Sequence, residues 1–219
     1  MSDSLAETVV VVTGAGGRLG QRMAEGFAAH GATLAAVGRD AARTPFPAGA
    51  AGQPFGADMT DEEAVAALFA EVTDTLGAPG AVIHTVGTWA GDSLLATSLA
   101  DFRKLVDLNL TSAFLCFREA ARHMRGGRLI AFASAQGADR GRAEQYGYSA
   151  AKAGVVRLVE AAAEEFDGTG LTAHAIAPST ILYEEDGEGV EAADLVDLAL
   201  YLCTDAGAAL NGATLRAYG

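Results

Sequence analysis

Short apolar runs alternate with amphipathic stretches along the chain. TVVVVT over 8–13 is continuous and β-branched, as in a strand buried on both faces. Residues 18–30 repeat at helical spacing, with Leu19, Met23 and Phe27 on one stripe and Gly31 as the stop. The same reading places strands at 33–37, 53–57, 81–86, 128–133, 171–177 and 213–217. Helices fall at 60–76, opened by a capping box from Thr60 to Glu63, at 99–124 (one helix or two), at 148–166 and at 190–204. Pro45, Pro47 and small residues make 44–52 a loop. Such alternation implies βαβ units. The expected fold is α/β: a doubly wound parallel sheet of about seven strands, helices on both faces, in a single domain over 1–219.

Charge and composition narrow the function. The chain has 219 residues and a formal net charge of −13. Such a surface repels nucleic-acid backbones and anionic membranes. No apolar run suits a membrane-spanning helix, and the acidic, polar N-terminus is unlike a secretory signal. Cys116 and Cys203 stand far apart, and His30, His84, His123 and His174 lack metal-ligand spacing, so no metal is expected. This points to a cytoplasmic protein that handles a small molecule, binding neither nucleic acid nor membrane. Lysine occurs only at Lys104 and Lys152, so an ammonium at either position is noteworthy.

Between the first strand and first helix runs Thr13-Gly14-Ala15-Gly16-Gly17-Arg18-Leu19-Gly20. Glycines there let a dinucleotide pyrophosphate approach the N–H groups that open the helix. Gly14, Gly16, Gly17, Arg18 and Leu19 are the candidate contacts. The second strand is followed by Gly38-Arg39-Asp40. An acidic residue ending that strand would bind the ribose hydroxyls of NAD. Glycine followed by Arg39 instead leaves room for a 2′-phosphate and supplies its cation. NADP is therefore expected over NAD. Arg18 is a second candidate for the 2′-phosphate, and Asp40 is expected to pair with Arg39 or Arg43.

Tyr148 and Lys152 lie one helical turn apart. A phenol with a pKa of about 10 is a poor acid–base group at neutral pH, and a nearby ammonium lowers that value. Ser134 ends the strand LIAFAS, where such sheets bind ligands, and its hydroxyl can hold a substrate oxygen. Asn109, within the apolar DLNLTSAFLCF, must be hydrogen-bonded if buried. Tyr146 has no lysine four residues on and is assigned to the substrate wall, together with Gln136, Tyr183 and Trp89. Trp89 either stacks on a planar substrate or fills the wall.

TGAGGRLG, DMTD, LNLTSAF, GRLIAFAS, YSAAK, IAPSTI and NGATLRAYG, in this order, resemble the short-chain dehydrogenase/reductase family. The resemblance implies hydride transfer between nicotinamide and a carbonyl or hydroxyl carbon of a small molecule. It makes Tyr148 the general acid/base and Ser134 the holder of the substrate oxygen. Lys152 would lower the phenol pKa and hold the nicotinamide ribose, and Asn109 would fix a water relaying protons to Lys152. Asp58 and Met59 would border the adenine, Val86 and Gly87 the adenosine side, and Pro178, Thr180 and Ile181 the carboxamide. A homodimer or homotetramer is also implied. Four features depart from the family pattern: Arg18 replaces its middle glycine, His84-Thr85-Val86-Gly87 replaces Asn-Asn-Ala-Gly, Pro178-Ser179 replaces Pro-Gly with no evident following Thr, and the substrate loop at 182–189 is short. The short loop leaves the site open or covered by another subunit. Beside this reading stand an NADP(H)-binding sensor or scaffold without turnover and, from GTWAG, an NADH-using dihydropteridine-reductase-like enzyme. The same Tyr–Lys pair would also suit a dehydration.

Overall fold

The computed structural model describes residues 5–184 and 187–219. β1 (Val9–Thr13), β2 (Thr33–Gly38), β3 (Ala51–Gly56), β4 (Pro79–His84), β5 (Gly127–Phe132), β6 (Leu171–Pro178) and β9 (Thr214–Ala217) form one sheet. β7 (Ile181–Leu182) and β8 (Val190–Glu191) pair separately. The helices are α1 (Arg18–Ala29), α2 (Glu62–Leu76), α3 (Leu99–Val106), α4 (Ser112–His123), α5 (Ala135–Ala138), α6 (Tyr146–Glu165), α7 (Ala192–Leu202) and α8 (Asp205–Ala208). The large sheet runs β3-β2-β1-β4-β5-β6-β9 with every pair parallel.

Period-two alternation divides the valines of β1 between two cores. Val10 and Val12 pack with Met23, Phe27, Leu195 and Leu202 of α1 and α7. Val9 and Val11 face the layer holding Val65, Phe69, Leu115 and Val155 of α2, α4 and α6. The helical stripe is also present: Met23 and Phe27 are fully buried, each contributing about 1.5–3 kcal/mol by area.

Several boundaries move for local reasons. α2 is capped by Asp61, whose carboxylate accepts from Ala64 N–H at 2.9 Å. Thr60 instead donates to Asp58 Oδ1 at 2.7 Å, so the capping box from Thr60 to Glu63 does not form. The 99–124 stretch is two helices joined by a π-helical turn, Asp107–Thr111. The 190–204 segment starts as β8 and turns helical only at Ala192. α6 begins two residues earlier than the periodicity predicts, at Tyr146.

Candidate active site

The strand order reverses between β1 and β4, and a crevice opens at their C-terminal ends. It holds two adjoining hollows of about 770 and 390 Å³. Both are lined by Gly14, Gly17, Thr85, Gly87 and Thr88. The larger also takes in Gly16, Arg39, Asp58, Met59, Val86 and Tyr146. The smaller gathers Arg18, Leu19, Trp89, Asn109, Ser134, Tyr148, Lys152, Pro178, Ile181 and Tyr183. Gln136, half-buried on α5, lines neither. Nor does Thr180, whose carbonyl accepts from Val190 N–H at 2.9 Å. Arg18 thus lines the hollow that holds the Tyr–Lys pair, and Arg39 the adjoining one.

The glycine turn has a steric reason. Gly14 has φ +77°, and a Cβ there would lie 2.6 Å from Thr85 Oγ1. Gly17 leads into α1 with extended backbone and no side-chain cap, which leaves the N–H groups of the first turn to an anion. Beyond β2, the Asp40 carboxylate accepts from Ala42 N–H at 3.0 Å and pairs with Arg43 at 3.5 Å. It is spent on its own turn, while exposed Arg39 lines the hollow near Asp58. The Asp58 carboxyl is held below its usual range by Thr60 hydrogen bonds, with a smaller contribution from the Arg39 charge.

His84 stands beneath the crevice, bonded to Thr13 Oγ1 at 2.8 Å and Ser112 Oγ at 3.1 Å. Burial, aided by the Lys152 charge, lowers its pKa to about 3, so a neutral ring ties β1 and β4 to α4. Thr85 Oγ1 donates to Thr13 O at 2.7 Å.

The π turn carries Asn109 inward. Its Nδ2 donates to Leu105 O and Thr88 O, each at 2.9 Å, and its Oδ1 accepts from Thr88 N–H at 3.1 Å. Both amide protons are used, so the side chain holds the Thr88 backbone. Gly87 is required alongside: a Cβ would meet Asn109 Oδ1 at 2.6 Å and Lys152 Nζ at 3.2 Å.

Ser134 caps α5, where its Oγ accepts from Gly137 N–H at 3.2 Å, and its side chain lines the same hollow as Tyr148. Lys152, one turn beyond Tyr148, is buried and donates to Phe132 O at 2.7 Å. Its Nζ lies 6.0 Å from the centre of the phenol ring. Burial lowers the ammonium pKa to about 8. Burial also pushes the Tyr148 phenol above its ordinary value, with Ser134 acting in the opposite direction. The expected lowering of that phenol by Lys152 is therefore not found in this state.

On the outer wall Trp89 is 62% exposed and Leu95 99%. Tyr146 lies on the larger hollow rather than beside Tyr148. Sequence reasoning missed Glu144, which lines the larger hollow with φ +63°. Its carbonyl accepts from Asp92 N–H at 2.9 Å, joining the loop after β4 to the approach of α6. No signal in the chain marks that contact. Within the short 182–189 loop, residues 185–186 lie outside the described residues. The Arg18 guanidinium lies 4.1 Å from the Tyr183 ring centre, and Arg22 bonds Glu184.

A family model described as short chain dehydrogenase matches residues 8–188. The chain belongs to the short-chain dehydrogenase/reductase family. This dehydrogenase/reductase is 33% identical over 187 residues to cis-4-hydroxycyclohexanecarboxylate dehydrogenase of Sinomonas cyclohexanicum, covering 81% of this chain and 75% of that protein. It is 31% identical over 181 residues to meso-2,3-butanediol dehydrogenase of Serratia marcescens, covering 79% and 71%. A solved dehydrogenase/reductase from Sinorhizobium meliloti 1021 superposes with a TM-score of 0.91 at 26% identity, covering 99% of this chain and 95% of that one. The protein is an NAD(P)-dependent oxidoreductase of Rossmann-type α/β fold. Among the described residues no helix is long and apolar enough to cross a membrane.

Proposed function

We propose that this dehydrogenase/reductase interconverts a ketone and a secondary alcohol with NADP(H) as the hydride carrier. The cofactor preference rests on the end of β2, where Arg39 lines the crevice while Asp40 is spent on its own turn. A dinucleotide fits the residues present: the glycine turn excludes a Cβ at Gly14, and the first turn of α1 carries no side-chain cap. Asp58, Met59, Val86 and Gly87 would border its adenosine half, and Lys152, Pro178 and Ile181 its nicotinamide half. When bound, the cofactor supplies or accepts the hydride. Ser134 orients the substrate oxygen, and Tyr148 gives or takes its proton. Lys152, positively charged below about pH 8, would hold the nicotinamide ribose and favour the phenolate. The names of two relatives, a hydroxycyclohexanecarboxylate and a butanediol dehydrogenase, favour a secondary alcohol. Exposed Leu99 and Phe114 on α3 and α4 support a homodimer or homotetramer through those helices.

The test is titration of wild type and Arg39→Asp with NADPH and NADH, followed by reduction of cyclic ketones and vicinal diketones. Wild type is expected to prefer NADPH by at least about tenfold, and the variant to reverse that order. Equal affinities in wild type, unchanged in the variant, would overturn the NADP reading. Binding without turnover on any ketone would favour a sensor.

A further inference from the structure

α5 is a single turn with Ser134 capping its start and Asp139 closing its end. Ala138 N–H donates to Ser134 O at 2.8 Å, and Asp139 N–H donates to Ala135 O at 3.0 Å. With one turn of backbone between them, a displacement of Asp139 passes directly to Ser134. The turn is already pressed against α6, where a Cβ on Gly137 would lie 2.4 Å from the carbonyl carbon of Lys152. A second restraint comes from the last strand. Arg216 on β9 and Tyr218 just beyond it, two residues apart, both reach Asp139. Arg216 Nε donates to Oδ1 at 2.7 Å, and the Tyr218 hydroxyl donates to Oδ2 at 2.5 Å. Both carboxylate oxygens are thus engaged. The Tyr218 carbonyl in turn accepts from Ser179 Oγ at 2.6 Å. Ser179, in place of the family's glycine, lines the smaller hollow beside Pro178.

We propose that Asp139, Arg216 and Tyr218 are positioning residues: they clasp the end of α5 and so set the Ser134 hydroxyl against the substrate oxygen. The clasp is exposed, with the Asp139 side chain 42% and Arg216 53% accessible. An exposed ion pair adds little to global stability. Its effect here is geometric, because a hydroxyl displaced by about 1 Å orients a reacting oxygen poorly. Ser179 extends the same chain of bonds to the Pro178 wall, so two sides of the hollow hang on one strand end. This inference rests on the reading of Ser134 as the group that orients the substrate oxygen.

The experiment is a double-mutant cycle with hydrogen exchange beside it. Asp139→Ala, Asp139→Asn, Tyr218→Phe, Ser134→Ala and the Asp139→Ala/Ser134→Ala pair are compared with wild type. Turnover is read on cyclohexanone and 2,3-butanedione with NADPH. Asp139→Ala is expected to lower kcat by about five- to thirtyfold and Tyr218→Phe by about two- to fivefold, with NADPH affinity within about twofold. Asp139→Asn, which keeps one acceptor oxygen, should recover part of the loss. In the Ser134→Ala background, Asp139→Ala should change kcat by less than about twofold, because the group it positions is gone. In the cofactor-free enzyme, Asp139→Ala should speed amide exchange at Gly137 and Ala138 by about tenfold and leave Val155 and Val159 unchanged. That readout decides the clasp whether or not either ketone is turned over. The same fold loss in both backgrounds overturns the proposal, as does unchanged exchange in α5. If Ser134→Ala alone keeps the wild-type rate, the reading of Ser134 fails and the proposal falls with it.

Discussion

Lys152 carries a cost that a pH titration can read. Its ammonium is buried, with Phe132 O at 2.7 Å its partner, and burial lowers its pKa from the ordinary 10.5 to about 8. In the unfolded chain the lysine keeps its ordinary value. Between about pH 8 and 10.5 the unfolded state therefore binds more protons, and stability rises with pH. Each pKa unit is 1.36 kcal/mol, so the ammonium costs about 3 kcal/mol at pH 7, of which roughly 2–3 kcal/mol is relieved by pH 10. Tyr148 acts in the opposite sense between the ordinary phenol value of 10 and its raised folded value, above the pH 7–10 range of the assay. The assay is urea unfolding of cofactor-free wild type and Lys152→Met at intervals from pH 7 to 10. Wild type should gain about 2–3 kcal/mol relative to the variant across the range. A constant difference would refute the reasoning and mean that Lys152 is solvated.

Two further predictions concern the floor of the crevice. Gly87→Ala drives a Cβ against Asn109 Oδ1 and Lys152 Nζ, and should cost about 1–3 kcal/mol in urea unfolding and lower kcat through displacement of Lys152. An unchanged midpoint and rate would contradict the close approach. His84 has a folded pKa depressed from 6.5 to about 3, so its contribution is complete above pH 6.5 and is lost as pH falls toward 3. His84→Asn, which keeps a hydrogen-bonding side chain but does not titrate, should flatten the stability profile between pH 6.5 and 4; identical profiles would count against a buried neutral ring.

The parts legible in the sequence are those that one local rule decides. Continuous β-branched runs marked the central strands, and the glycines at 14–20 marked a tight turn in which Gly14 has φ +77° and packs against Thr85. Ser134, Tyr148 and Lys152 meet because helix and strand periodicity place them. The π turn at Asp107–Thr111 was not legible: one added residue per turn leaves no trace in an apolar pattern, yet it aims Asn109 at Thr88. Asp61 displaced Thr60 as the cap because the Thr60 hydroxyl found Asp58, a choice between equally suitable neighbours. The seat of the short loop on Arg18 and Arg22 depends on residues more than a hundred and fifty positions apart, and no periodicity links them. Burial raises the Tyr148 phenol and lowers the Lys152 ammonium, a desolvation that helical spacing alone does not reveal.

In the proposed reaction Tyr148 moves the proton, Ser134 orients the substrate oxygen, and the glycine turn and Lys152 hold the cofactor. The direct measurement is NADPH affinity and ketone-reduction rate of Tyr148→Phe beside wild type. Tyr148→Phe should keep NADPH affinity within about twofold and lower the rate by at least about a hundredfold, in the range that general acid–base catalysis contributes. Retention of the wild-type rate by the variant would contradict it.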